Sequence, residues 1–123
     1  MNTSIDQLIA TADRLLTDAP ATMGAGRYRG AAFALRTALE IAVAATLLAP
    51  PISIERVNKR VNTRAQMLCL RGCTEAETAR RARAVWVLLC LGCHYHQYEI
   101  GPTQDQVRAW RLEVIAVLGL LAA

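Results

Sequence analysis

The run AAFALRTALEIAVAATLLA at residues 31–49, followed at once by Pro50 and Pro51, constrains this chain more than any other stretch. Alanine and leucine dominate it, and both favour helix. The double proline stops that helix sharply, because proline lacks an amide hydrogen and restricts the residue before it. A helix apolar on nearly all sides belongs either in a bilayer or at the centre of a bundle. Arg36 and Glu40 decide between the two. They lie one turn apart near the middle of the run, where a bilayer would strand both charges in hydrocarbon. The expectation is a buried central helix over residues 27–49, with Arg36 and Glu40 paired on one side, and no membrane span.

The rest of the chain supplies helices to cover it. Residues 4–18 carry Ile5, Leu8, Ile9, Ala12, Leu15 and Leu16 at the three-and-four spacing of one apolar face, behind a Ser4–Gln7 capping box. Pro20 ends that helix, and Gly24 and Gly26 make the next connection a loop. Residues 52–70 are amphipathic and read as one helix or two, with Asn62–Thr63 as the break and Gly72 as the stop. A fourth helix opens at a Thr74–Glu77 box and turns wholly apolar from Ala84 to Cys93. Gly101 and Pro102 interrupt the chain. Thr103 and Gln106 then form a third box, for a last helix that turns Val107, Trp110, Val114, Ile115, Leu118 and Leu121 inward.

No stretch alternates as a strand would, and no segment repeats. The 123 residues suit one domain, residues 1–123, and 54% hydrophobic content is ample for a core. With aromatics at only 5%, that core must be aliphatic. The fold class expected is all-α, a five-helix antiparallel bundle, since short connections make antiparallel neighbours. The apolar ends of the second and fourth helices exceed what a small bundle needs, so a homodimer burying part of the fourth helix is expected. The opening MNTSIDQLIA lacks a basic stretch followed by a long apolar one, so the expected compartment is the cytoplasm, where thiols stay reduced.

Chemistry concentrates in WVLLCLGCHYHQYE, residues 86–99. His94, His96 and Tyr98 are the candidate catalytic residues, because an imidazole beside a phenol or carboxylate relays protons near neutral pH. On a continuing helix His94 would share a face with Tyr98, and Tyr95 with Glu99. The structural alternative is that these groups cap the end of the helix. CLGCH also matches the haem-attachment pattern C-x-x-C-H, but that chemistry needs export, and the pattern lies inside an apolar helix. Cys69, Cys73, Cys90 and Cys93 form a lesser candidate set for a four-thiolate metal site, set against plain packing of small apolar thiols. No cofactor is expected.

Net charge is +4, and thirteen of the fourteen basic residues are arginine. Arg56, Arg60 and Arg64 lie four apart, Arg71 continues the stripe two turns on, and Arg80, Arg81 and Arg83 follow. Together they are the candidate nucleic-acid-binding residues, because clustered guanidiniums neutralise phosphates. No aromatic residue is interleaved to stack bases, and a solvated helix face explains the same pattern.

The segment RYRGAAFALRTALEIAV, residues 27–43, resembles the second helix of HEPN domains, and CHYHQYEIGPTQDQVRAW, residues 93–110, resembles the segment around their histidine. The chain is also similar to small uncharacterised actinobacterial proteins. The HEPN resemblance implies a four- to five-helix bundle that dimerises. In many members it also implies metal-independent cleavage of RNA, in toxin–antitoxin, defence or RNA-processing systems. The family motif is R-x4-6-H. His94 or His96 matches its histidine, but the positions where its arginine belongs, Val87 to Leu91, hold no basic residue. By this analogy the chain is a non-catalytic, dimeric binding or regulatory module whose partner is RNA or another protein. The alternative is an endoribonuclease using His94 or His96 with an arginine borrowed from Arg27, Arg29 or Arg36. A third reading is metal binding by the four cysteines.

Overall fold

The computed structural model describes residues 3–17, 26–48, 62–94 and 101–122. Among them lie α1 (Thr3–Thr17), α2 (Gly26–Leu48), α3 (Thr63–Cys69), a 3-10 turn (Leu70–Gly72), α4 (Ala76–Cys93) and α5 (Gln104–Ala122). No strand occurs among these residues, and the helices pack into one all-α bundle. The expected stops at Pro20 and at Pro50–Pro51, and the helix expected from residue 52 as far as residue 61, lie outside the described residues.

The apolar run does become the centre. α2 packs against α1, α3, α4 and α5, and buries Ala31, Ala32, Ala34, Leu35, Ala38, Leu39, Val43 and Leu47. Its four buried alanines let neighbouring helices approach closely. By length and composition α2 also passes as a membrane span, and half of its most apolar window is buried against the other helices. Arg36 Nε lies 3.6 Å from Glu40 Oε1, the pairing the one-turn spacing predicts. Glu40 also accepts a hydrogen bond from Trp86 Nε1 of α4 at 3.1 Å, so this partly buried carboxylate joins two helices.

Cross-helix contacts fix the directions. Asp13 pairs with Arg111 and the Leu16 carbonyl accepts from Gln104, so α1 and α5 run antiparallel. Arg81 pairs with Glu113 near the start of α4, while Gly92 near its end meets Trp110, an earlier residue of α5. The Glu40–Trp86 bond and the approach of Ala32 to Gly92 set α2 antiparallel to α4 in the same way.

The Thr103–Gln106 capping box forms as the sequence predicts. Thr103 Oγ1 accepts from Gln106 N at 3.1 Å, and Gln106 Oε1 accepts from Thr103 N at 2.9 Å. At the Ser4–Gln7 box, α1 already includes Thr3. The Thr74–Glu77 box does not form. The 3-10 turn holds Thr74, whose amide and hydroxyl both donate to the Leu70 carbonyl, so Glu75 becomes the cap residue and Glu77 pairs with Arg80 instead. A cap that sequence spacing did not single out opens α3: Asn62 Oδ1 accepts from Ala65 N at 2.9 Å. Thr103→Ala is expected to lower the unfolding free energy by about 1 kcal/mol, measured by urea denaturation. A loss below a few tenths of that would show that α5 starts independently of this box.

Candidate functional site

α4 ends at Cys93, and His94 is its C-cap with extended backbone, its amide donating to the Cys90 carbonyl at 3.2 Å. The expected continuation of α4 through residue 99, which would have put His94 and Tyr98 on one face, is therefore corrected at His94. A residue with ψ near 129° leaves the helix, and its side chain departs from the helical register. Tyr95, His96, Tyr98 and Glu99 lie outside the described residues. The exposed His94 is held where α4, the start of α5 and the start of α2 converge.

There it borders a cavity of about 250 Å³ shared by Arg29, Leu88, Leu91, Gly92, Gly101, Pro102, Gln106 and Trp110. Two glycines shape it. A Cβ on Gly101 would sit 3.0 Å from Arg29 Nε and 3.2 Å from its Nη2, so the absence of a side chain there lets the guanidinium lie against the backbone. A Cβ on Gly92 would sit 2.7 Å from Trp110 Cζ3, so the indole packs directly on α4. The result is one guanidinium, one imidazole and one carboxamide around a small concavity with an indole wall. That donor set suits a phosphate oxygen group.

The three arginines weighed as substitutes for the missing motif arginine have separate fates. Arg27 donates to Tyr28 Oη at 2.6 Å and lies over that ring at 4.8 Å. Arg36 is engaged by Glu40 and stacks over Phe33 at 5.1 Å. Among these three, Arg29 alone lines the cavity with His94. Sequence spacing carries no signal for this pairing, since it depends on α2 and α4 running antiparallel side by side.

Comparison with protein-family models, curated proteins and solved structures returned no match for this chain.

The described part of the arginine series is divided between two faces of the fold. Arg56 and Arg60 lie outside the described residues, and Arg64 is exposed on α3. Arg71 follows Arg64 seven residues on, in the 3-10 turn that extends α3. It meets Arg80 and Arg83 of α4 at a second cavity. Arg81 departs from both, pairing with Glu113 on the α5 side. Among the described arginines of the series, Arg81 therefore stands apart from Arg71, Arg80 and Arg83.

All four cysteines are free and pack at the edge of the core. Burial pushes the Cys90 and Cys93 thiols up, outweighing the Arg36 guanidinium that pulls them down. A raised thiol carries little thiolate at neutral pH and is a poor nucleophile. Among the described residues no three His, Cys, Asp or Glu side chains are grouped to hold a metal ion, so the Cys69–Cys73 and Cys90–Cys93 faces do not meet as a four-thiolate set.

Proposed function

We propose that this chain is a non-catalytic, HEPN-like dimeric module that binds RNA, with Arg29 and His94 holding a backbone phosphate. One observation carries the reading: a guanidinium and an imidazole from different helices line the same small cavity. The turn of α4 before His94 offers no positive charge. Its outward side chains, Val87, Leu88 and Leu91, are apolar and exposed, the last at 67%. That face suits pairing with a second copy, and phosphate contact falls to Arg29 from α2. The cytoplasm is the compartment we assign, consistent with the free thiols.

The same juxtaposition favours a second reading, a metal-independent endoribonuclease in which Arg29 replaces the absent motif arginine. Such cleavage needs a base for the 2′-hydroxyl, an acid for the leaving oxygen and a cation for the phosphate. Among the described residues the cavity supplies one imidazole and one guanidinium, enough to hold a phosphodiester and to provide one proton-transfer group.

Fluorescence anisotropy with a labelled single-stranded RNA, in a chelator and at fixed salt, tests both. Wild type should bind and leave the RNA intact. Arg29→Ala should weaken binding about tenfold, the value of one charged hydrogen-bonding contact, and flatten the salt dependence. Cleavage that vanishes in His94→Ala would transfer the assignment to the nuclease. Absence of RNA binding by a folded protein would sink both. Light scattering of the same preparation checks the dimer, and a monomer at micromolar concentration counts against it.

A further inference from the structure

The second cavity shares no lining residue with the first. It holds about 310 Å³ between α3, the 3-10 turn and the first turns of α4, at the small end of ligand pockets. Met67, Leu68, Ala76 and Ala79 form its apolar part, and Arg71, Arg80, Arg83 and Glu77 its charged part. Arg80 is paired with Glu77, whose carboxyl that bond holds below the usual carboxylate range. Arg71 and Arg83 make no salt bridge with another described residue. Three guanidiniums against one carboxylate leave the lining at a net +2. The first turn of α4 also borders it, and Glu75 gives that turn no side-chain cap. Its positive helix end therefore adds to the arginines.

We propose that this cavity is a binding site for a small organic phosphomonoester, a dianionic head on a compact apolar body. Charge selects the head. A phosphomonoester above its second ionisation, at about pH 6, carries close to −2 and accepts from two guanidiniums at once. A carboxylate or sulfate ester, at −1, leaves one of the two unmatched. The floor selects the body: Met67 is buried beneath the cavity, and methionine offers a soft, polarisable surface to an aromatic or aliphatic group.

Titration calorimetry on the full chain tests this with phenyl phosphate, inorganic phosphate, phenyl sulfate and phenol as probes. Phenyl phosphate should bind at least tenfold more tightly than each of the others at pH 7.5. Its affinity should fall several-fold between pH 7.5 and pH 5.5, as the dianion takes up a proton. Arg71→Gln and Arg83→Gln should each weaken it about tenfold, while Arg64→Gln, outside the cavity, and Arg29→Ala, in the other cavity, leave it unchanged. Equal binding of inorganic phosphate would remove the apolar part of the proposal. Equal binding of phenyl sulfate would remove the dianion. No response to the Arg71 and Arg83 changes would overturn the site itself. Because Arg29→Ala acts on RNA and not on phenyl phosphate, failure of the RNA reading and failure of this one are separable.

Discussion

Leu39→Ala is expected to lower the unfolding free energy by about 3 to 4 kcal/mol, read from urea denaturation followed by helical circular dichroism. Leu39 sits on α2 with no exposed surface, inside the cluster that joins α1, α2, α4 and α5. The substitution removes three carbons from a dry interior, worth about 0.8 kcal/mol for each methylene. The remainder comes from the hole left behind. On α2 the residues one turn away on its face are Leu35 and Val43, both fully buried, and a close-packed interior relaxes only partly into such a vacancy. Alanine's gain in helix propensity over leucine is too small to offset this. A typical domain has about 5 to 15 kcal/mol in hand, so one such change consumes a large part of it. Leu112→Ala, at a site 67% exposed on α5, should stay within about 0.5 kcal/mol of wild type. If the two variants cost the same, α2 is not the centre of the bundle.

Leu39 also shows how the sequence could be read so far and no further. Its run is apolar around the whole helix, so the residues alone announce burial on every side, and the structure places α2 among the other helices. Arg36 and Glu40 were legible for the same reason: two charges one turn apart in such a run must satisfy each other. Capping was harder. The three boxes look alike as letters, yet Thr74–Glu77 fails because the 3-10 turn claims Thr74 first. Local spacing does not reveal a competing acceptor four residues upstream. The site was half legible. His94 stands out by residue type, but Arg29 is far away in the chain and reaches the same cavity through helix pairing. How the described arginines of the series divide between helix faces depends on helix packing, which spacing alone does not carry. Arg71 joins Arg80 and Arg83 at one cavity, and the rotation between Arg80 and Arg81 sends the latter to Glu113.

Gly92 is where fold and candidate site depend on the same atoms, and Gly92→Val should damage both. A single added carbon at this position meets Trp110 Cζ3 at 2.7 Å, Trp110 Cη2 at 3.1 Å and Ala32 Cβ at 3.5 Å. The approach is closer than carbon atoms tolerate, with α2 directly behind, so relief has to come from the indole moving outward. Valine adds two further methyl groups that cannot rotate away inside a helix. The cost expected is about 3 kcal/mol, the upper part of the range for overpacked positions. Gly92→Ala should cost less, about 1 kcal/mol, because its better helix propensity recovers part of the strain. Gly119→Ala supplies the contrast on α5. Nothing lies within 4 Å of a Cβ there, so it should be neutral or stabilise by up to about 1 kcal/mol. Displacing Trp110 also removes one wall of the Arg29–His94 cavity, so Gly92→Ala, still folded, should bind RNA more weakly than wild type and shift the tryptophan emission. A variant that loses stability yet keeps full RNA affinity would show that phosphate is held elsewhere, since the indole cannot leave its place against α4 without opening the cavity it borders.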